Sequence, residues 1–360
     1  MYIDWLQIQN VRNLTNLRIQ PTNKLNLFIG PNASGKSSIL EAIYVLSRAR
    51  SFRTPRIKEV IQHTKPSILV TAGLRNAAGV LIKTGIEKRP DKTIIHCNGE
   101  NIKKTSTQAK NIPLVLIAPD VNSLVTGLPK QRRNWLDWAM FHVEPDYLED
   151  WRNYYKALRQ RNMALNHATN KNYDAMSGWE HIMGETATRI TEQRQGLLKK
   201  IQQNLDVISK KLLPFETSIC LDKGWPGTQP LALCLESNRR ADRQSGYTRN
   251  GPQVSDVHFL ADKRPVDAVC SRGQIKLFLV LLLMSQARTL EMMTGERPVY
   301  LMDDYRAEID AQARRQVFNA LIELNAQVFF TATETDAEEA RHTDVKMFHV
   351  ERGDIVKVVE

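Results

Sequence analysis

Cysteine is scarce in this chain. Its 360 residues hold four, Cys97, Cys220, Cys234 and Cys270, widely scattered and with no Cys-x-x-Cys pair. That argues against both a zinc site and a disulfide framework and fits a reducing cytoplasm. Long apolar runs are missing as well. The longest unbroken one, 277–284, is far shorter than the roughly 18 residues that a membrane span needs. Met1-Tyr2-Ile3-Asp4 does not open like a signal peptide, so a soluble protein is expected. No internal repeat or low-complexity segment is found, which sets aside solenoids and biased tails.

What is present is ordinary globular composition, 42% hydrophobic and 25% charged, with length enough for two domains with sizeable cores. The charge is unbalanced. Lys and Arg outnumber Asp and Glu by 50 to 39, giving a net charge of +11 and a pI near 9.5. Basic side chains release counterions when they bind phosphate backbones, so the excess points to a polyanionic partner, nucleic acid first. A solvated basic surface is the alternative.

The informative stretch is 25–38. Leu25, Leu27, Phe28 and Ile29 suit a buried strand, and Gly30-Pro31-Asn32-Ala33-Ser34-Gly35-Lys36-Ser37-Ser38 follows. Ile39, Leu40, Ile43 and Leu46 then recur at helical spacing. Strand, glycine-rich turn and helix are the context that a phosphate-binding loop requires. Backbone N–H groups turn inward on an anion there, and the helix N-terminus adds its partial positive charge. Lys36 is expected to reach the β- and γ-phosphates of ATP, and Ser37 to ligate Mg²⁺ through its hydroxyl. Such a motif arises by accident in roughly one chain of this length in a hundred.

Around the loop, strands are expected near 1–8 and 14–19, with Val11-Arg12-Asn13 in the turn between them. Arg48, Arg50, Arg53, Arg56 and Lys58 crowd a segment read as a loop near the nucleotide, which either meets DNA phosphates or is simply solvated. Segments 67–74, 79–87 and 93–97 are rich in Val, Ile and Thr, and Asn98-Gly99 signals a tight hairpin, so an antiparallel sheet is expected. After another strand at 113–119 the character changes. From 135 to about 213, aromatic and aliphatic residues fall at three- and four-residue steps, which predicts three or four helices of ordinary length. That aromatic stripe reads as core rather than as a base-stacking surface.

Two late segments carry chemistry. Ser271-Arg272-Gly273-Gln274 opens a helix that is apolar almost all round, and it offers a second anion site at a helix N-terminus. Val299, Tyr300, Leu301 and Met302 form a buried strand ending in Asp303-Asp304. On a strand beside the phosphate-loop strand, Asp303 can hold the water shell of Mg²⁺ while Asp304, pointing the other way, orients an attacking water. Beyond lie Glu308-Ile309-Asp310, a helix to 325, a strand ending in Thr331-Ala332-Thr333, and a hairpin turning at Arg352-Gly353.

A phosphate loop early, a helical insertion in the middle, and a Ser-Arg-Gly-Gln helix and Asp-Asp strand late resemble an ABC-type ATPase head of the SMC-like kind. More closely, the chain resembles the RecF family over essentially its whole length. The carrying residues are the phosphate loop, Gly127-Leu128-Pro129, Arg132-Arg133 with Leu136-Asp137, Gln160-Arg161-Asn162, Gly251-Pro252, Ser271 to Gln274, Asp303-Asp304 and Glu308-Ile309-Asp310. The resemblance implies a weak, DNA-stimulated ATPase of single-strand gap repair that binds duplex and junction DNA, dimerises with ATP, and works with RecO and RecR to load RecA. It also implies that Arg12 and Asn13 lie near the adenine and phosphates. Asp303 would be the Walker B carboxylate, Asp304 the residue positioning water, and Ser271, Arg272, Gly273 and Gln274 the signature facing a partner subunit's ATP.

Val11 stands where the family usually has Phe, and Tyr305-Arg306-Ala307 replaces a small-residue stretch. Asp120 is only a candidate for a glutamine-loop role. The expected architecture is α/β, an ATPase head at 1–125 and 251–360 with a mainly helical lobe at 126–250 inserted. The readings weighed against it are an overcoming-lysogenisation type nuclease, for which about 30 residues after the last nucleotide-site strand leave no room, a small-molecule P-loop kinase, and an ATP-gated clamp without turnover.

Overall fold

The structure, a computed structural model, describes residues 1–76, 78–103, 105–118, 122–166, 173–306, 309–335 and 342–359, without the side chains of 106, 110 and 173–175. The chain divides into two compact units, Met1–Val121 with Leu290–Glu360, and Asn122–Thr289.

The first unit opens with β1 (Tyr2–Val11), β2 (Leu14–Ile19), β3 (Leu25–Ile29) and helix α1 (Lys36–Arg48). There follow β4 (Ile68–Arg75), β5 (Leu81–Lys88), β6 (Thr93–Cys97), β7 (Glu100–Asn101), α2 (Thr105–Asn111) and β8 (Leu114–Ile117). One six-stranded sheet runs β2-β1-β4-β5-β6-β7 with every neighbour antiparallel. Its alternating Ile and Leu positions turn one face inward, where Ile3, Leu6, Ile8, Val70 and Ile86 are fully buried. The Asn98-Gly99 turn sits where the sequence predicts it, with Asn98 and Gly99 at φ 50° and 88°.

The second unit begins with α3 (Ser123–Thr126), α4 (Pro129–Val143), α5 (Tyr147–Asn166) and α6 (Tyr173–Ser209). It continues through β9 (Thr217–Asp222), α7 (Leu231–Ser245), β10 (Asp256–Ala261), β11 (Arg264–Pro265), α8 (Val266–Val269) and α9 (Arg272–Thr294), whose last residues belong to the first unit. Bonds from Arg189 to Asp150 and from Arg161 to Glu180 show that α5 and α6 run antiparallel. At 37 residues, about 55 Å of rise, α6 is longer than the ordinary helices that the pattern predicts. It holds no proline, and its Gly184 lets Ala232 of α7 approach to a distance a Cβ would cut to 2.9 Å.

The unit closes at 289, not near 250 as the composition suggests. The reason is strand pairing: β10 lies against β9 from Asp256↔Asp222 to Ala261↔Thr217, and Gln286 donates to the Trp135 carbonyl. Several family-like motifs prove to be the scaffold of this unit. Arg132 forks onto Asp256, and Arg133 donates to the Ser255 carbonyl at 2.7 Å. Arg161, fully buried, bonds Glu180, Asp242 and Thr248, while Asn162 accepts from Thr248. Gly251 is glycine because a Cβ there would lie 2.1 Å from the Tyr154 hydroxyl. Of the aromatic stripe, Trp135 and Tyr154 are core, and Trp138, Trp151 and Tyr155 are half-buried.

Helix α9 is long and apolar enough to cross a bilayer, but 72% of its most apolar window is buried in the molecule. The chain then completes the first unit with β12 (Val299–Met302), α10 (Ala311–Glu323), β13 (Val328–Ala332), β14 (Val345–Glu351) and β15 (Asp354–Val359). The second six-stranded sheet is ordered β15-β14-β3-β13-β12-β8, parallel except for β15. Its inner strands β3, β12 and β13 are buried at every residue, as parallel strands covered on both faces must be. Helix α1 lies in one core with both sheets: Ile39, Leu40, Ile43 and Leu46 pack in the same buried cluster as Leu6, Val70, Phe28, Phe329 and Phe348. Phe28 stacks on Phe329 and Phe348 across three neighbouring strands. The strand bearing Asp303 is not beside β3, as expected from sequence; β13 lies between them.

Candidate nucleotide-binding site

The loop between β3 and α1 is shaped by what its glycines avoid. A Cβ on Gly30 would meet the Val350 carbonyl oxygen at 2.2 Å, because β14 passes directly behind the strand end. Gly35 turns at φ 119°, a conformation that L side chains rarely adopt. Asn13 fastens the loop from behind: its amide donates to the Ser34 carbonyl at 3.1 Å and the Ala33 carbonyl at 3.4 Å, and its oxygen accepts from Ser38 at 3.2 Å. The backbone N–H of Gly353 adds a bond to the Ser34 carbonyl at 2.7 Å.

Lys36 donates to the carbonyls of Gly30 and Pro31 at 2.6 and 2.8 Å. Burial lowers the pKa of its ammonium, against the opposing pull of Asp303 and Asp304. The Ser34 hydroxyl is buried with no hydrogen-bond partner among the described residues. An orphaned hydroxyl, a buried lysine and a loop at a helix N-terminus are the donor set that a triphosphate satisfies. They open on a cavity of about 390 Å³ lined by Arg12, Asn13, 32–38, Arg53, Asp303, Asp304 and 331–333, all in the first unit.

Opposite the loop, Asp303 is 8% exposed and accepts from the Ser37 hydroxyl and the Thr331 hydroxyl, each at 2.8 Å. The Thr331 hydroxyl in turn accepts from the backbone N–H of Asp304 at 2.8 Å. Strand β12 ends at Met302, so the two carboxylates are not separated by strand alternation. They part because Asp304 adopts a left-handed backbone, φ 47°, and stands exposed at the cavity wall. Ser37 and Asp303 suit a hard cation. Among the described residues no group of three or more His, Cys, Asp or Glu could hold a metal, so an ion at this pair would draw further ligands from phosphate and water.

Arg12 reaches this cavity from a positive-φ turn. Its guanidinium forks onto Glu41 at 2.8 and 2.9 Å, which holds its pKa above the usual value. Glu41 is fully buried on α1 and also accepts from Ser51 at 2.5 Å, with Arg53 3.8 Å away. The basic segment 48–58 is thus partly self-satisfied: Arg48 turns inward to the Leu114 carbonyl, its pKa pushed down to about 10 by burial, and Arg56 pairs with Glu59. Val11 is fully buried in the core of the first unit.

The sequence marks neither Glu41 nor a role for Thr331, which stands there only as the end of a strand. A charged residue on the apolar stretch of α1 is the signal that could have marked Glu41. Thr331 carries no comparable mark until the strands are ordered. Ser271 and Gln274 form a reciprocal cap: the Ser271 N–H donates to the Gln274 side chain at 2.9 Å, and the Gln274 N–H to the Ser271 hydroxyl at 3.3 Å. Ser271 and Arg272 are exposed. Asp120, Ala307 and Glu308 lie outside the described residues.

A family model, the RecF/RecN/SMC N-terminal domain, matches residues 2–356. The chain is 35% identical to the DNA replication and repair protein RecF of Vibrio parahaemolyticus over 99% of both sequences. It is 33% identical to that of Nitrosococcus oceani over 100% of both. Among solved structures it is similar to the recombination mediator protein RecF-ATP in the RecFOR pathway, with TM-score 0.85, 24% identity, and 100% and 98% of the two chains covered. It is also similar to an SmcHead bound to the C-winged helix domain of ScpA, with TM-score 0.57, 16% identity and the same coverage. Those two likenesses establish the fold, the mixed α/β head shared by RecF and SMC proteins. With the family model spanning nearly all of it and relatives above 30% identity along its length, the chain belongs to the RecF family.

Proposed function

We propose that this protein is an ATP-dependent DNA-binding recombination mediator of single-strand gap repair and replication restart, a weak ATPase stimulated by DNA. The observation that carries the nucleotide part is the convergence of Lys36, Ser37, Asp303 and Asp304 on one cavity. The repair part is supported by relatives named DNA replication and repair protein and by a solved relative titled a recombination mediator in the RecFOR pathway. The net charge of +11 suits the same partner.

ATP with Mg²⁺ supplies the phosphoryl group to be transferred to water and the charge that neutralises it. Lys36 exchanges the Gly30 and Pro31 carbonyls for phosphate oxygens, which are stronger acceptors because they are charged. Ser37 and Asp303 are the residues that hold Mg²⁺, and Thr331 keeps the carboxylate in place. Asp304 orients the attacking water and accepts its proton. Asn13 keeps the loop in shape, and Arg12 contributes a fixed cation. Ser271 to Gln274 serve the nucleotide of a second copy, so that ATP joins two chains. The first unit is then the ATPase core and the second carries the signature; RecO and RecR are the proposed partners in loading RecA, in the cytoplasm.

The test is ATP hydrolysis with and without gapped DNA, in the parent and in Lys36→Met. Slow turnover that rises with DNA and vanishes in the variant is expected. Equal turnover in Lys36→Met would remove the site assignment, and ATP binding with no turnover in the parent would replace the enzyme by a nucleotide-gated clamp.

A further inference from the structure

Six arginines of the second unit are held in ion pairs. Arg132, Arg161, Arg189, Arg194, Arg239 and Arg249 each face a carboxylate: Asp256, Glu180 with Asp242, Asp150, Asp137, Glu180 and Asp242 in that order. These six share five carboxylates, so most of their charge is balanced inside the unit. Helix α5 differs. Its inner face buries Tyr154, Ala157, Leu158, Arg161 and Leu165, and its outer face exposes Arg152, Lys156 and Arg159. None of these three has an ion-pair partner among the described residues.

The spacing is regular. Steps of four and three residues keep the three side chains within about 60° of one another around the helix. From Arg152 to Arg159 the rise is about 10 Å. One strand of duplex DNA presents a phosphate every 3.4 Å or so along its axis, so about three phosphates span the same length. Helix α5 carries its carboxylates, Glu149 and Asp150, in the first turn, and Asp150 is already engaged by Arg189. A protein partner would want an apolar anchor at the centre of the contact, where this stripe has Lys156.

We infer that the Arg152, Lys156 and Arg159 stripe of α5 is where the second unit meets the phosphate backbone of DNA. The inference rests on the proposed DNA binding and assigns it a surface. Replacing all three by alanine leaves the nucleotide cavity untouched, so hydrolysis without DNA and the melting temperature are expected to stay at parental values. Binding to a labelled gapped duplex in the presence of ATP is then measured between about 50 and 200 mM salt. Three lost phosphate contacts reduce the logarithmic salt slope by about 2.7, so the parent loses roughly 40-fold more affinity over that range than the variant does. Arg152→Lys with Arg159→Lys keeps the charges and should keep the parental slope. A parent that binds DNA with the same slope as the triple variant overturns the stripe and leaves DNA binding standing. A parent with no salt-dependent DNA binding overturns both.

Discussion

Replacing Thr331 by Val keeps the shape of the side chain and removes the hydroxyl that joins the Asp303 carboxylate to the Asp304 backbone N–H. Two hydrogen bonds go with it. The bond to the Asp303 carboxylate at 2.8 Å is charge-assisted, about 1.5–3 kcal/mol, and the bond from the Asp304 N–H, also 2.8 Å, is ordinary, about 0.5–1.5 kcal/mol. Both lie at a side chain that is 1% exposed, so water does not replace them at no cost. The loss of about 2–4 kcal/mol should lower the melting of the first unit by roughly 5–15 °C. Nucleotide affinity should change little, because Lys36 and the loop are untouched and Asp303 keeps its bond from Ser37. Hydrolysis should fall by about 10²-fold, since Asp304 loses the contact that fixes its backbone and a base displaced by about 1 Å costs that much. Thr331→Ser restores the hydroxyl and should recover most of the rate. Thermal melting, equilibrium binding of a fluorescent ATP analogue and steady-state hydrolysis read the three quantities separately. Parental turnover in Thr331→Val, or a Ser variant as slow as the Val variant, would refute the bridging role.

Asp304→Asn keeps size and hydrogen bonding but removes the base, so ATP binding should persist while hydrolysis slows by roughly 10²-fold or more; Asp303→Asn should instead weaken Mg²⁺-dependent nucleotide binding, and titration of both variants with Mg²⁺ and ATP tells them apart. Ser271→Arg should leave ATP binding intact and keep the protein monomeric in sedimentation with ATP; normal dimerisation would reduce Ser271 to a helix cap. All four cysteines are free. Burial raises the Cys234, Cys97 and Cys270 thiol pKa values, so at pH 8 less thiolate is present and alkylation should lag behind exposed Cys220, with the fully buried Cys234 last. Mass spectrometry of a timed alkylation shows the order.

The strand, loop and helix at 25–48 were legible because a buried strand, two glycines under steric constraint and a helical apolar face each leave a local mark. So was the hairpin at Asn98-Gly99. What escaped was decided through space. The position of β13 between β3 and β12 depends on which of several similar apolar strands pair, and nothing in 299–302 or 328–332 encodes a neighbour. Glu41 and Thr331 matter only through residues 10 to 29 positions away. The Ser-Arg-Gly-Gln run suggests an anion site, although its Ser and Gln also cap their own helix. Nor does apolar spacing mark 289 as a boundary, because α9 is one helix with residues in both units.

The parallel placement of β3 between β13 and β14 has a consequence for biosynthesis. The phosphate-loop strand is complete at Ile29, but its partners begin at Val328 and Val345. At about 5–20 residues per second the ribosome needs roughly 15–60 s to supply them. For that interval Leu25, Leu27 and Phe28 have neither neighbour, an apolar strand with two open edges. The second unit is one unbroken stretch, 122–289, and it emerges whole while β3 is still waiting. A nascent chain of this protein therefore carries a complete second unit between the two halves of the first, whose parallel sheet can close around β3 only after β14 has left the exit tunnel.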